Sequence, residues 1–309
     1  MSQPRARGAD VTFAPSPGRT LGVEWELGLL DPATLDLVSR ADELLALANA
    51  SDATSHARPT RSRSTVTKEL LRNTVEIVTG VCANAEQAAS DLADGLGRVQ
   101  AAADELDVLL YGGGSHPFAR WEDQEVSHGQ RYATLIDRTQ WWGRQMVIFG
   151  VHVHVGIRSA AKVWPLVNAL LTYHPHLTAL SASSPYWSGA DTGYASNRTM
   201  LFQQLPTAGL PFQFETWAQY RTYVVDVSTA GSSPTRASCA GTSGPCARQM
   251  SVVTAALVVQ WLDGGGRPAV CPPESGWTRG TFRSSCLPCR VCAHSACGSG
   301  TAAAMSTGD

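Results

Sequence analysis

The segment Leu21–Leu30, LGVEWELGLL, alternates strictly: Val23, Trp25, Leu27 and Leu29 point one way, and Glu24, Glu26 and Gly28 the other. That period of two predicts a β-strand with one apolar face to pack on helices. The two acids then project from the opposite face, roughly 7 Å apart at their Cα atoms. Carboxylates side by side repel each other unless cations sit between them. Taken alone, the pair also suits a solvated strand face, so its meaning depends on what the rest of the chain brings to it.

Two further segments bring groups of the same kind. Thr74–Thr79 predicts a second strand, with Glu76 set among β-branched and apolar neighbours just after Lys68-Glu69. A lone ionised carboxylate there is costly if buried, whereas an edge strand would let it face water. Gly150–Gly156, GVHVHVG, places three valines on one strand face and His152 and His154 on the other. Imidazole is the commonest metal ligand and also hydrogen-bonds phosphate oxygens. A pair of hydrogen-bonded histidines lining a cleft, or a metal-dependent hydrolase built on His152/His154, fits this strand as well.

Three strands with acids or imidazoles on one face describe a concave sheet lined with ligands. Several carboxylates without cysteine suit Mg²⁺ or Mn²⁺ better than a structural zinc. The chain has no G-x-x-x-x-G-K-[ST] phosphate loop, and Gly112–Gly114 does not open a dinucleotide-binding unit.

Outward from these strands, Asp31-Pro32 marks a turn and Asp42–Ala50 a short helix, followed by a polar loop over Ser51–Ser64. Glu86–Leu106 is amphipathic at helical spacing, and Asp107–Tyr111 is a short strand. Helices are expected through about Arg131–Arg144, over Lys162–Ala182 with a kink or break at Pro175, and from Phe214 to Val225. Met146–Ile157 is read as one strand and Ser183–Gly193 as a loop. Strands separated by single helices, with no βαβ rhythm and no internal repeat, give an α+β fold.

With 309 residues, 43% hydrophobic, the chain can bury a substantial core, and a formal net charge of −2 argues against nucleic-acid and membrane-surface partners. No stretch has the 18 or so uninterrupted apolar residues of a membrane span. Residues 1–19 lack a signal-like apolar core and are expected to be a disordered leader, with a cytoplasmic location as the default.

The last quarter has a different character. Seven of the eight cysteines follow Ser238, and from Val225 to Asp309 there is no Lys, Ile, Asn or Tyr and a single Glu, Glu274. This part, 225–309, is expected to be a poorly ordered low-complexity tail, with Ser251–Leu262 its one candidate helix or strand. Cys286-x-x-Cys289-x-x-Cys292, with His294 and Cys297, is a candidate for zinc or an iron–sulfur cluster, but no regular element flanks it.

Gly22–Glu26 (GVEWE), Glu69–Thr79 (ELLRNTVEIVT), His116–Ala119 (HPFA), Gly150–Gly156 (GVHVHVG), Ser181–Trp187 (SASSPYW) and Asp191–Ser196 (DTGYAS) together resemble the glutamate–cysteine ligase type 2 family, in order and spacing, over about 200 residues. The resemblance implies a catalytic region over 20–224 folded like glutamine synthetase. There a curved antiparallel sheet forms a funnel with helices outside, holding ATP and Mg²⁺ or Mn²⁺. It implies metal ligands at Glu24, Glu26, Glu69, Glu76 and His152, and nucleotide contacts from Glu24, Glu69, His152 and His154. By the same resemblance Glu24, Glu26, Glu76 and Arg198 would form the catalytic set, with Arg198 as anchor for a substrate carboxylate; a surface arginine is the alternative.

The implied reaction joins a carboxylate, such as the γ-carboxyl of glutamate, to an amine such as cysteine through an acyl phosphate, as a weak glutamate–cysteine ligase. Its partners are small molecules, and a homo-oligomer is compatible with it. The family continues with an R-P-S strand and an E-x-R-x-x-D segment that are absent from Val225–Asp309. The funnel is therefore expected to be incomplete, the reading frame to shift near Val224–Val227, and an inactive relative of the family to be the alternative to a ligase.

Overall fold

The computed structural model of the protein describes residues 13, 15–16, 18, 20–54, 64–205, 210 and 212–229. In chain order the elements are β1 (Leu21–Leu30), α1 (Ala41–Thr54), β2 (Thr65–Lys68), β3 (Thr74–Val78), α2 (Ala85–Glu105), β4 (Leu109–Tyr111), α3 (Gln130–Arg144), β5 (Val151–Val155), α4 (Val163–Ser181), β6 (Tyr186–Trp187), β7 (Ala190–Asp191), α5 (Asn197–Phe202) and α6 (Trp217–Thr229).

β1 forms over the residues its alternation predicts and is the axis of an antiparallel sheet. One of its sides pairs with β3, which carries β2 beyond it. Its other side is shared: β5 pairs with residues 21–25 and β4 with residues 28–30. The fold is thus a mixture of helices and antiparallel sheet.

The face that bears Leu27, Leu29, Val66, Val75 and Ile77 is covered by α1 and α2 through Leu44, Ala48, Val99 and Ala103, all buried. α2 starts where the Asn84 side chain accepts a hydrogen bond from the backbone N–H of Gln87, at 2.9 Å, and so satisfies a donor left open by the first turn. It lies close on the sheet at Gly95, where a Cβ would stand 2.5 Å from Ile77 Cγ2. A glycine in mid-helix costs helix propensity, and this close approach is the compensation.

The opposite face is divided. Near residue 30 it is apolar: Leu30, Leu35, Leu37, Leu71, Val147 and Phe149 form a second buried cluster. His116 is sealed beside it. Its Nε2 lies 3.0 Å from the Leu35 carbonyl, and Nδ1 accepts from the Ala119 N–H at 2.9 Å, a pattern that fixes one neutral tautomer. Burial pushes the His116 imidazole down to about 4, against a smaller upward pull from the Leu35 carbonyl. Towards residue 22 the same face carries the acids. A third cluster ties α4 to α6 through Val163, Trp164, Val167, Tyr220 and Val224.

Several expectations shift at their edges. The helix at 41–54 is longer than Asp42–Ala50 and takes four residues of the expected loop. The extended run from Met146 narrows to Val151–Val155, because Val147 and Phe149 turn into the second cluster. Pro175 sits inside an unbroken α4. Pro175 itself and the nearby Thr172, Tyr173 and His176 are exposed, so little packing opposes the local adjustment that a proline needs. The loop at Ser183–Gly193 contains the β6–β7 hairpin. Among the described residues no helix is long and apolar enough to cross a membrane. Most of the leader 1–19, most of the tail 225–309, Ser251–Leu262 and the Cys286–Cys292 motif lie outside the described residues; 225–229 complete α6.

Candidate functional site

Register brings the acids together. In an antiparallel sheet, residues directly opposite share a face. Glu26 stands opposite Glu76, Glu24 opposite His152, and Gly22 opposite His154. Thr67 of β2 opposes Glu76, so Glu69, two residues on, belongs to the same face just beyond the strand end. The three strands read from alternation therefore supply one patch, and β2 supplies its outer margin.

Glu24 is the hub of the histidine side. Its Oε2 lies 3.3 Å from His152 Nδ1 and 3.1 Å from His154 Nε2. The latter contact is an ion-pair distance without hydrogen-bond alignment. Burial raises the Glu24 carboxyl, but the two imidazoles outweigh it and hold it at about 2. For His152 burial acts downward, and the hydrogen bond to Glu24 reverses it, so the imidazole sits above its ordinary value.

The other side behaves oppositely. Burial lifts the Glu69 and Glu76 carboxyls well above the carboxylate range. Neighbouring charge lifts them further: Glu26 acts on Glu69, and Glu69, Glu24 and Glu26 act on Glu76. Glu76 is only 5% exposed. Glu69 Oε2 accepts the Leu70 N–H at 3.0 Å, but among the described residues no Lys or Arg forms a salt bridge with Glu26, Glu69 or Glu76. Such a cluster is unfavourable as it stands and becomes favourable once cations enter it.

Donor atoms are spaced for that. Glu24, Glu76 and His152 offer three ligand atoms within 4.8 Å of one another, as do Glu26, Glu69 and Glu76. Two donors about 2.1 Å from one ion at roughly right angles lie about 3 Å apart, close to the Glu24–His152 separation. The all-carboxylate group matches a hard ion such as Mg²⁺ or Mn²⁺, and the group with one imidazole still tolerates either. All five residues expected as metal ligands fall in these two groups, and Glu76 belongs to both. His154 is in neither; it supports Glu24.

Arg198 is buried rather than a surface arginine, at 5% exposure. It begins α5, where its N–H donates to Ser184 Oγ at 3.0 Å, and its Nε donates to the Phe149 carbonyl at 2.7 Å. A Cβ on Gly150 would stand 2.5 Å from Arg198 Nη2, so the missing side chain at Gly150 is what lets the guanidinium pass beside β5. Burial lowers the basicity of Arg198, and the Glu26 charge acts against that.

Two residues of this neighbourhood escape a reading by alternation. Arg131 and Tyr132 open α3, and the Arg131 charge pulls Glu69 and Glu76 down. Tyr132 OH donates to the Lys68 carbonyl at 2.9 Å, and burial next to Glu69 pushes its phenol up to about 12. Their one sequence signal is an Arg-Tyr pair at a helix start, just after Gly129-Gln130.

Fold and site together place two groups of candidate cation ligands on one face of an antiparallel sheet, with Arg198 nearby. The chain belongs to glutamate–cysteine ligase family 2, whose model matches residues 20–240. A Mycobacterium tuberculosis protein carrying the provisional name glutamate–cysteine ligase 2 is 52% identical over 227 residues, covering 74% of this chain and 57% of its own length. A Nocardioides protein, provisionally glutamate–cysteine ligase 2-3, is 54% identical over 222 residues, covering 72% and 57%. The chain thus spans little more than half the length of these curated relatives. Among solved structures, a glutamate–cysteine ligase of Francisella tularensis in complex with AMP is similar at 16% identity and TM-score 0.40, covering 56% of this chain and 37% of that one.

Proposed function

We propose that this chain acts as an ATP- and Mg²⁺-dependent carboxylate–amine ligase, with glutamate as the acid and cysteine as the amine. The observation that carries the reading is the pair of ligand groups sharing Glu76, with Arg198 beside them. In the proposed reaction a substrate carboxylate oxygen attacks the γ-phosphorus of ATP and ADP leaves. The amine then attacks the acyl carbon, loses a proton and expels phosphate to leave an amide. The sheet would be one wall of a glutamine synthetase-like funnel. Names given to the relatives support the substrates, and membership of the family supports the reaction class.

Bound Mg²⁺ would supply charge neutralisation at the phosphates, held by Glu24, Glu76 and His152 and by Glu26, Glu69 and Glu76. The chain's own part is positioning. His152 and His154 hold Glu24 ionised and oriented, and the β1–β3 register fixes Glu26 against Glu76. Arg198 would take the α-carboxylate of the acid substrate through a two-pronged contact, anchored from behind by the Phe149 carbonyl.

ADP formation by the purified chain with ATP, Mg²⁺, glutamate and cysteine tests this. Activity that requires all four and disappears in Glu76→Gln supports it. A folded protein that neither binds ATP with Mg²⁺ nor forms ADP, or a fully active Glu76→Gln, would exclude it.

A further inference from the structure

We infer that Arg131 is a nucleotide-binding residue that contacts the β,γ-phosphate end of ATP at the rim of the acid cluster, across the site from Arg198. This rests on the ligase reading above and adds the direction in which the two substrates lie.

The first observation is where α3 begins. Three contacts strap that point to the end of β2: Lys68 Nζ donates to the His128 carbonyl at 2.8 Å, Tyr132 OH to the Lys68 carbonyl at 2.9 Å, and the Ser127 N–H to the Leu70 carbonyl at 2.8 Å. Glu69 lies between Lys68 and Leu70, so the strap holds Arg131 beside it. The second is the state of the guanidinium. Its carbon lies 5.3 Å from the centre of the Tyr132 ring, which orients it by cation–π attraction. It is half-buried and, among the described residues, makes neither a hydrogen bond nor a salt bridge. Glu69 and Glu76 feel its charge, but neither has captured it.

The third is charge balance. Two divalent cations would just offset the carboxylates of Glu24, Glu26, Glu69 and Glu76, leaving nothing for the triphosphate. That tetra-anion needs cations of its own. Arg198 is committed to the Phe149 carbonyl on the Glu26–His152 side. Among the described residues Arg131 is the uncommitted cation on the Glu69–Glu76 side, with five donors suited to two phosphate oxygens. Nucleotide phosphates therefore lie towards α3 and the acid substrate towards α5, with Glu76 between.

Calorimetry on the full chain with Mg²⁺ tests this, using a non-hydrolysable ATP analogue, AMP and glutamate as separate ligands. Arg131→Ala should weaken the ATP analogue about tenfold while leaving AMP and glutamate within about twofold, and Arg131→Lys should recover part of the loss. An unchanged ATP-analogue affinity overturns the assignment, and so does an equal loss for AMP, which marks a purely structural role. A folded wild-type protein that binds no nucleotide overturns the ligase reading and this inference with it. Wild-type binding with an indifferent variant overturns this inference alone.

Discussion

Replacing Glu76 by Gln should make the metal-free protein more stable and the metal-loaded protein less so. In the folded chain without metal, burial and three neighbouring carboxylates raise the Glu76 carboxyl far above its ordinary 4.5. The folded state therefore binds a proton that the unfolded state releases. Stability from this group is complete below pH 4.5 and is lost as pH rises towards the folded value. One such proton is worth about 1.4 kcal/mol per pH unit. For an ordered part of roughly 200 residues that corresponds to a fall in Tm of about 3 °C per unit.

The amide introduced by Glu76→Gln has no proton to lose, so the difference in Tm between variant and wild type should widen by about that amount per unit from pH 5.5 to 8.5 in EDTA. Taking the difference cancels the titrating groups that do not interact with Glu76, and Glu69, which does, shifts with it as part of the same effect. Added Mg²⁺ should then raise the wild-type Tm at pH 8 and leave the variant within about 1 °C, since ligand stabilisation needs an intact site. Scanning calorimetry in the two buffers reads both effects. Parallel pH profiles for the two proteins in EDTA would refute the electrostatic argument, and equal shifts with Mg²⁺ would refute the ligand assignment.

Further expectations concern the supports of the site. His116, held neutral by burial near pH 4 against an ordinary 6.5, should cost the fold about 3 kcal/mol as pH falls through that window; His116→Gln should lose this acid sensitivity in urea titrations at pH 7 and pH 4.5. Gly95→Ala should destabilise by about 1–3 kcal/mol despite better helix propensity, because its Cβ meets Ile77; a gain in urea midpoint would show that α2 can lift off the sheet. Gly150→Ala should displace the Arg198 guanidinium and weaken glutamate binding about tenfold or more, with a Tm change under about 3 °C. Glutamate affinity equal to wild type would separate Arg198 from substrate recognition.

What could be read from the sequence follows the range of the forces involved. β1 and β5 were legible because apolar side chains alternate with acids or imidazoles over five to ten residues, even though Val153 and Val155 of β5 are exposed. Glu24, Glu26, His152 and His154 came with them. Glu69 was legible as an acid near Glu76 but not by alternation, since β2 is four residues long and two of its side chains are plainly exposed threonines. Arg131 carried little local signal beyond its place at a helix start: what places it is a strap of hydrogen bonds between segments about 60 residues apart. Pro175 misled because proline's penalty is local, whereas the helix around it is held by Val163, Trp164 and Val167 at its start. The pairing of β1 with two successive strands on one side needs the tertiary fold to be seen.

Glu76 belongs to two donor groups at once, and this has a thermodynamic consequence. A carboxylate that neutralises one ion has less charge left for a second, but the first ion also expels the proton that Glu76 otherwise keeps. The two occupancies are therefore coupled. A cation titration should depart from a pair of independent hyperbolas, and the release of protons should be concentrated in the first binding event. Shared ownership of a single side chain would thus couple the two proposed cation sites, whose filling would depend on pH even though neither ion does.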